Sequence, residues 1–428
     1  MTIKELKIVY YKVILVLIHF YGERILCYHT PMNVLLVSDV SVKTILGGAE
    51  KVLYEEAVFL LKQGHQVFVL TRKLDSHSCV DEIINGIHEF RYETNTKNPF
   101  LFLLSTIINA PKCYKQISSR IKFDVINFHQ PFTALGINLL SETKHIRKVY
   151  ICHSLSFEEY ISRNPGQKTL GFIGNVFLRK TIEKFSLEKA NQIIVLSQYT
   201  KNKLLTSHHI KEDKINIVPS GIDIHHFFPA VDKIALRREL NINPEPLTLF
   251  TVRNLVQRMG LENLIKTIPL VQQKGIPVQL FIGGQGVLKE KLQNIIHELK
   301  LEGSVKLCGF ISEEMLLKYY QMADFFILPT IDLEGFGLVT LEAMSSGTPV
   351  LATPIGGTVE ILGPFAGSLL FKSTSPEDMA QLIAEKYSQY KNNVEEYKKL
   401  CLQVRQYIET HYCWDKNAQG IEALLKSS

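Results

Sequence analysis

The stretch DFFILPTIDLEGFGLVTLEAMSSGTPVLATPIGGTVEIL (residues 324–362) places two carboxylates, Glu334 and Glu342, on either side of a glycine-rich turn. Residues 325–328 are apolar and predict a buried strand, and residues 338–346 predict an apolar helix. A strand that passes through glycines into a helix is typical of parallel sheets. This stretch therefore predicts an α/β domain with a binding turn at one edge of its sheet.

Gly335 and Gly337 lie in the turn between the predicted strand and helix. Neither residue has a side chain that would keep a ligand away from the backbone. The free N–H groups and the positive dipole end of the following helix favour anions. We therefore expect this turn to bind a phosphate group.

Glu342 lies about one turn into the predicted helix, among apolar residues. Burying a carboxylate without hydrogen-bond donors is costly, so donors must be present. They could come from the hydroxyl groups of a bound sugar or from a structural arginine. The residues alone leave these two alternatives open.

Composition indicates a globular protein with more than one domain. The chain has 428 residues, of which 46% are hydrophobic and 21% are charged, and this length suggests two or three domains. The formal net charge of +6 suits an anionic substrate or an anionic membrane surface. No DNA or RNA motif is present, so we expect no nucleic-acid partner.

The seven cysteines are scattered along the sequence, with no C-x-x-C pair and no spacing typical of metal ligands. Neither a disulfide framework nor a zinc site is therefore expected. This usage fits a reducing compartment, and we predict a cytoplasmic location.

The first 31 residues are interpreted as an extension that lies outside the core fold. Lys4 and Lys7 precede an apolar run at residues 8–20, which is shorter than the ~20 residues that span a bilayer. No small-residue cleavage site follows the run before Cys27, which argues against a signal peptide. A peripheral membrane anchor is the alternative interpretation.

From Met32 onward, short apolar segments alternate with longer amphipathic ones, which predicts parallel sheets covered by helices. The predicted strands are 34–38, 66–71, 124–128, 148–152 and 192–197, and then 247–252, 277–284, 305–310, 324–329, 349–354 and 368–371. The fold class is therefore α/β, with two facing, Rossmann-like, doubly wound domains. The predicted units are an N-terminal domain at 32–230, a linker at 231–246 and a C-terminal domain at 247–410. Ligands of such domains bind at the carboxyl ends of the strands, so we expect the site in the cleft between the domains.

Several residues at predicted strand ends have the chemistry for this cleft. Gly47 and Gly48 open a helix after the first strand, and Gly284 lies in a similar turn after the strand 277–284. Arg253 and Arg258 follow the strand 247–252, where two guanidinium groups could bind a diphosphate and stabilise it as a leaving group. The alternative is a pair of solvated loop arginines, which is the better interpretation for Arg258 taken alone.

Two histidines follow neighbouring predicted strands. His129 comes after the strand 124–128, in a position that suits a catalytic imidazole or a sugar contact, and His153 has the same position after the next strand. A lone histidine is more often structural, so both interpretations stay open for His129.

Residues 98–123 form a cationic and amphipathic stretch. We interpret it as a core helix with a solvated face. The alternative is a segment that meets a lipid-linked acceptor at a membrane.

Taken in order, these elements make the chain resemble the retaining glycosyltransferases of family four, which have two facing Rossmann-like domains (the GT-B architecture). The resemblance covers the chain from about Met32 to its C-terminus. It rests on GGAE (47–50), NFHQP (127–131), VPSGID (218–223), VRNLVQRMGLENLI (252–265), IGGQG (282–286) and the stretch 334–362 with its paired glutamates.

The resemblance implies a role for each matching residue. Glu342 would bind the ribose of a nucleotide sugar, and Glu334 would contact the transferred sugar. The backbone from Gly335 through Phe336 and Gly337 to Leu338 would hold the diphosphate and the sugar. The remaining implied site residues are His129 beside the donor sugar, Arg253 and Arg258 at the leaving group, Gly284 in a donor-binding loop, and Gly47 and Gly48 between donor and acceptor. Many relatives carry Lys-Gly where this chain has Arg258-Met259-Gly260, so the resemblance supports Arg258 less directly than Arg253.

The implied reaction transfers a hexosyl group from a UDP- or GDP-sugar to a glycan, a polysaccharide or a lipid-linked acceptor, with retention at the anomeric carbon and without a bound metal or cofactor. Peripheral association with the cytoplasmic face of a membrane is compatible with such an acceptor. Residues 411–428 would cross back to the first domain. Two other classes stay open: a non-catalytic glycan-binding or scaffold protein, and another GT-B enzyme such as a sugar epimerase or a phosphorylase.

Overall fold

The computed structural model describes residues 30–43, 47–75 and 79–427. The predicted extension at residues 1–31 therefore lies almost entirely outside the described residues. Two separate sheets organise the described chain, each covered by helices. This confirms the predicted α/β class with two Rossmann-like domains.

The first domain contains an eight-stranded sheet in which every neighbouring pair is parallel except β3 and β4. Its strands are β1 (Asn33–Val37), β2 (Gln66–Arg72), β3 (Asp81–Ile84), β4 (Ile87–Tyr92), β5 (Val125–Phe128), β6 (Arg147–Cys152), β7 (Gln192–Val195) and β8 (Ile215–Ile217). They lie in the order β3-β4-β2-β1-β5-β6-β7-β8.

The helices of the first domain are α1 (Gly48–Lys62), α2 (Pro99–Ser118), α3 (Pro131–Asn138), α4 (Ser156–Arg163), α5 (Leu170–Lys189) and α6 (Gln198–His208). They build a core on each face of the sheet, because side chains alternate along β1. Leu35 and Val37 pack against side chains of α2, α3, α5 and α6. Val34 and Leu36 belong to the opposite core, which contains α1.

The second domain contains a five-stranded parallel sheet with the order β11-β10-β9-β12-β13. Its strands are β9 (Leu247–Val252), β10 (Val278–Gly283), β11 (Val305–Gly309), β12 (Phe325–Leu328) and β13 (Val350–Ala352). Its helices are α7 (Lys233–Glu239), α8 (Leu261–Gln273), α9 (Lys289–Glu298), α10 (Glu313–Met322), α11 (Leu338–Ser345), α12 (Thr358–Ala366), α13 (Pro376–Asn392) and α14 (Val394–His411). The helix α15 (Trp414–Lys426) follows.

Each sheet has one point at which the strand order reverses. In the first sheet this point lies between β1 and β5, and in the second between β9 and β12. The loops that leave neighbouring strands in opposite directions open a crevice there. The loops after these four strands hold most of the predicted site residues.

The segment 231–246, which the sequence predicts as a linker, packs against the second domain. It contains α7, whose Arg237 donates to the Met322 carbonyl at 2.8 Å and to the Asp324 carboxylate at 2.7 Å. These contacts attach the segment to the second domain. Prolines and turn residues flank this short helix, and its stabilising partners lie far away in sequence.

Two differences between the structure and the sequence prediction concern strands. Residues 368–371 were predicted as a strand, but residues Gly367–Leu369 form a 3₁₀ helix and only Leu370 makes an isolated bridge to Ala352. The hairpin of β3 and β4 was not predicted. β3 is a half-exposed edge strand with two acidic residues, so it lacks the apolar run that identifies a buried strand.

The C-terminal helix α15 packs on the first domain. The Arg147 guanidinium of β6 donates to the Leu424 carbonyl at 2.8 Å, and Glu422 lies 3.0 Å from the ring of His65. Ile421 and Leu425 join the core formed by α1. Among the described residues, no helix has both the length and the apolar character needed to cross a membrane.

Candidate active site

The two crevices meet at a direct contact between the domains. Ser197, at the start of α6, donates its hydroxyl to the Gly335 carbonyl at 2.6 Å. The Glu360 carboxylate of α12 accepts the N–H groups of Gln198 and Tyr199 at 2.7 and 2.8 Å. The turn containing Gly335 therefore lies against the first domain.

Glu334 is buried, and side chains of its own domain hold one of its oxygens. Arg253 and Thr330 both donate to Oε2, the latter at 2.9 Å. No described residue donates to Oε1, which lies 3.8 Å from the position that a Cβ atom on Gly337 would take. One carboxylate oxygen is therefore fixed and the other faces the glycine turn.

The glycines of the turn permit close approaches that a side chain would prevent. A Cβ atom on Gly335 would lie 2.9 Å from the His153 carbonyl oxygen of the first domain. Gly337 has a left-handed backbone with φ of 93° and begins α11. Phe336 is buried in the core, so only its backbone is available to a ligand.

Two buried hydroxyl groups near Gly337 lack partners. The hydroxyls of Thr340 and Thr358 are buried and have no hydrogen-bond partner among the described residues. They lie 3.3 and 2.6 Å from the position of a Cβ atom on Gly337. Unpaired buried polar groups are uncommon in native proteins. Their place beside the N-terminus of α11 fits a site that is completed by a polar ligand.

Glu342 is also buried, and its two oxygens have separate partners. Lys51 of α1 donates to Oε1 at 2.6 Å across the domain boundary, and Tyr320 of α10 donates to Oε2 at 2.6 Å. Burial alone would lower the pKa of Lys51, but Glu342 and Glu313 outweigh this effect and raise it. The donors that Glu342 requires thus come from a lysine and a tyrosine, not from an arginine.

The two predicted arginines lie on either side of Glu334. Arg253 contacts Glu334 directly, and its guanidinium also contacts the Met259 sulfur at 2.9 Å. Arg258 donates to the Leu333 carbonyl at 2.9 Å. Burial lowers the pKa of Arg258, partly compensated by Glu159 of the first domain. Two guanidinium groups therefore face the cleft next to the glycine turn.

The other predicted glycines have different surroundings. A Cβ atom on Gly284 would lie 1.9 Å from the Arg253 carbonyl oxygen, so this glycine lets the loop carrying Arg253 pack tightly. A Cβ atom on Gly48 would lie 3.0 Å from Leu338 of the opposite domain, and one on Gly47 would lie 3.0 Å from Glu50. Gly48 therefore lies against Leu338 of the opposite domain, beside the turn.

His129 is buried, and its Nδ1 is hydrogen-bonded, whereas its Nε2 lies near a carboxylate without a hydrogen bond among the described residues. Nε2 lies 3.3 Å from Glu56 Oε2, and Nδ1 lies 3.1 Å from His153 Nε2. Asn127 donates to the other oxygen of Glu56 at 2.6 Å. Burial, assisted by His129, lowers the pKa of His153 to about 3. His153 is partly buried, and its carbonyl oxygen lies against Gly335 of the second domain.

Family comparisons agree with this architecture. Residues 46–226 match the model of "Glycosyltransferase Family 4", and residues 232–402 match that of "Glycosyl transferases group 1". The chain belongs to glycosyltransferase family 4. The two matches meet at the boundary between the two sheets, so both domains of this glycosyltransferase carry the family pattern.

Curated relatives align with most of the glycosyltransferase. An uncharacterized glycosyltransferase of Methanocaldococcus jannaschii is 26% identical over 82% of this chain and 87% of its own length. A phosphatidylinositol N-acetylglucosaminyltransferase subunit from Arabidopsis thaliana is 25% identical over 83% of this chain and 74% of its own length.

Solved GT-B structures share the fold. Sucrose-phosphate synthase from Thermosynechococcus elongatus superimposes with a TM-score of 0.76 at 21% identity, covering 92% of this chain and 98% of that protein. Anabaena HepE in complex with UDP and glucose superimposes with a TM-score of 0.70 at 17% identity, covering 93% of this chain and all of that protein.

The structure brings most of the predicted residues of the glycosyltransferase to one cleft. Glu334, Arg253, Arg258, Leu338 and the glycine turn lie there together. His129, which the resemblance places beside the donor sugar, is buried in the first domain between Glu56 and His153, and its role stays a prediction.

Sequence reasoning missed Lys51, Glu56, Thr330 and Tyr320. Glu56 carried a usable signal, since it is a charged residue on the core-facing side of α1 between Leu53 and Leu60. The other three are identified only by their contacts in the folded chain.

A cavity of about 290 Å³ lies between the two domains beside Glu342. Its lining includes Lys51, Glu55, Asp223 and Trp414. Burial, followed by the effect of Asp223, raises the pKa of Glu55 to about 7. The cavity therefore contains a carboxyl group that titrates near neutral pH.

Proposed function

We propose that this glycosyltransferase moves a hexosyl group from a UDP- or GDP-sugar to a glycan, a polysaccharide or a lipid-linked acceptor, with retention of the anomeric configuration. The observation that carries the proposal is the incomplete polar shell around the turn. The Oε1 atom of Glu334 and the hydroxyls of Thr340 and Thr358 lack partners among the described residues, and all three adjoin Gly337. A sugar diphosphate would supply both donors and acceptors there.

The donor diphosphate would bind at the N-terminus of α11. Its charge would be offset by the helix dipole and by Arg253 and Arg258. The ribose would reach Glu342, whose carboxylate has about four acceptor positions, of which Lys51 and Tyr320 use two. Glu334 Oε1 would accept a hydrogen bond from the transferred sugar.

In the proposed reaction, the bond between the anomeric carbon and the diphosphate oxygen breaks while the acceptor oxygen bonds to the same face of that carbon. The departing phosphate oxygen takes the proton of the acceptor hydroxyl. Arg253 and the helix terminus stabilise the charge that develops on the leaving group. We propose that no metal ion or other cofactor is needed, because these groups supply the positive charge.

Two observations support a lipid-linked acceptor and a cytoplasmic location. The names of relatives include the phosphatidylinositol N-acetylglucosaminyltransferase of Arabidopsis and a phosphatidylinositol mannoside mannosyltransferase of Corynebacterium glutamicum, the latter 29% identical over 48% of this chain. The six described cysteines are free thiols, which suits a reducing compartment.

A nucleotide-sugar panel tests the donor. A bound donor at a hundred times its dissociation constant should add ~2.7 kcal/mol to the unfolding free energy. Label from the best donor should then appear on an acceptor, with the anomeric configuration retained and with chelators present. Binding without transfer would indicate a non-catalytic binding protein. Label that stays on the nucleotide as a different sugar would indicate an epimerase.

A further inference from the structure

Two helices of the first domain expose large apolar side chains at helical spacing. On α2 the exposed residues are Phe100, Leu104 and Ile108, and on α5 they are Leu170, Ile173 and Phe177. The most exposed of them are Leu170 at 89%, Phe177 at 72% and Phe100 at 70%. Scattered exposed apolar residues are ordinary, but a row of them on each of two helices marks an interaction surface.

The two helices are neighbours on one face of the sheet. Both pack against α3, and its Phe132 contacts both of them. The ring of Phe132 meets Phe102 of α2 edge to face at 6.3 Å, and the Arg179 guanidinium of α5 lies 4.9 Å from the same ring. The exposed rows of α2 and α5 therefore flank a shared contact.

The residues that attach α2 to the domain core are separate from its row of exposed apolar side chains. Thr106, Ala110, Tyr114 and Ile117 are buried and attach the helix to the domain core. The predicted core helix is present, and its solvated face carries Phe100, Leu104 and Ile108 as well as the exposed Lys112 and Lys115. No residue in the described part of the chain covers this row of apolar side chains.

The charge around this surface has one sign. Residues 94–123 contain five Lys or Arg and no Asp or Glu, and residues 160–182 contain four and none. Lys97, Lys112 and Lys168 are exposed and pair with no carboxylate among the described residues. A surface that combines apolar side chains with unpaired cations suits an anionic bilayer, where each contribution strengthens the other.

We propose that this apolar–basic surface, formed by Phe100, Leu104, Ile108, Leu170, Ile173 and Phe177 together with Lys97, Lys112 and Lys168, docks the protein on an anionic lipid bilayer. The apolar side chains enter the interface, and the lysines lie among the headgroups.

The apolar–basic surface is next to the mouth of the cleft. The Arg72 guanidinium lies 5.8 Å from the Phe102 ring of α2 and donates to the Asp39 carbonyl, in the loop after β1, at 2.9 Å. A docked protein would thus present the first-domain side of the cleft to lipids. The docking itself goes beyond the proposed function, since it requires neither donor nor transfer.

The test is sedimentation of the full-length protein with phosphatidylcholine vesicles, with and without phosphatidylglycerol. We expect binding to the anionic vesicles that weakens as salt is added. The double variant Ile173→Ser/Phe177→Ser should bind roughly tenfold more weakly or worse, because two inserting side chains are lost. Leu402→Ser is the matched control, since Leu402 is a 61% exposed helical leucine of the second domain, and it should bind as the wild type does.

Three outcomes would overturn the proposal. These are equal binding by the double variant, no preference for anionic vesicles, and concentration-dependent self-association that the double variant abolishes. The last would identify the surface as a contact between two copies of this chain. Transfer to a water-soluble acceptor should be the same in all variants, so its loss would concern the proposed function and not the docking.

Discussion

Replacing Glu56 with glutamine should move a proton within a buried chain of side chains beside the cleft. Asn127 donates to Glu56 Oε1 at 2.6 Å, so the glutamine must place its amide oxygen there. Its NH₂ group then takes the position of Oε2, 3.3 Å from His129 Nε2. The carboxylate accepts only, whereas the amide donates. The carboxylate next to Nε2 favours a proton on that nitrogen in the wild type, and we expect the amide NH₂ group of the variant to favour the tautomer without it.

The change should extend to His153. With its proton on Nδ1, His129 donates to His153 Nε2 across their 3.1 Å contact, so His153 must carry its own proton on Nδ1. His153 is adjacent to the cleft, because its carbonyl faces Gly335. The variant therefore changes which nitrogen of His153, beside the glycine turn, carries a proton, while every side chain keeps its shape.

The expected magnitudes follow from the type of contact. Glu56 acts through His129 and His153, and a changed buried hydrogen bond that costs about 1–3 kcal/mol in the transition state should lower kcat by roughly 5- to 150-fold. The buried hydrogen bonds are mostly retained, so the unfolding free energy should fall by only about 1–3 kcal/mol. The assays are kcat with the identified donor, urea denaturation, and ¹⁵N NMR of the imidazole nitrogens.

Glu422→Gln is the matched control. Glu422 also pairs with a buried imidazole, that of His65, at 3.0 Å. His65 directly precedes β2 and so lies at the amino ends of the parallel strands, whereas the cleft lies at their carboxyl ends. This variant should lose stability and keep its kcat. The reasoning is refuted if His129 Nε2 stays protonated in Glu56→Gln, or if the two variants lose the same fraction of kcat.

Three other predictions concern the cleft. Lys51→Met removes the cross-domain partner of Glu342. Because the Lys51 side chain is 20% exposed, we expect the unfolding free energy to fall by about 1–3 kcal/mol in urea denaturation, which is less than for a fully buried pair. An unchanged midpoint would contradict this. Arg253→Ala and Glu334→Gln should each lower kcat/KM by about 10²- to 10³-fold with native circular dichroism, and near-normal turnover in either would remove the donor assignment. The pKa of Glu55 is raised to about 7, which favours the folded state at acid pH. This contribution is lost as the pH rises from the ordinary pKa of a glutamate through about 7. Glu55→Gln should therefore show a smaller fall in unfolding free energy over this pH range. Parallel pH profiles of the wild type and this variant would argue against the effect.

Local patterns predicted the region of the glycine turn well, because its elements are contiguous in sequence. The strand predicted at 325–328 is β12, and the helix predicted at 338–346 is α11, which ends at Ser345. Apolar runs separated by glycine are sufficient for this. The half-exposed strand β3 has no such run, and the 3₁₀ segment Gly367–Leu369 has one without forming a strand. Whether a segment forms a recognisable strand depends on burial on both faces of a sheet, and the sequence does not state this burial.

Glu334 and Glu342 look alike in the sequence, and the structure separates them. The partners of Glu334 lie on loops of its own sheet, so its fixed oxygen depends on one domain alone. Glu342 is bound by Lys51, which is 291 residues away and belongs to the other domain. A ligand at Glu334 can meet a carboxylate oxygen that is already free, whereas a ligand at Glu342 must share its oxygens with the contact that joins the domains. The periodicity of a helix can show that a carboxylate is buried, but only the tertiary fold decides whether its partner is a neighbour or the opposite wall of the cleft.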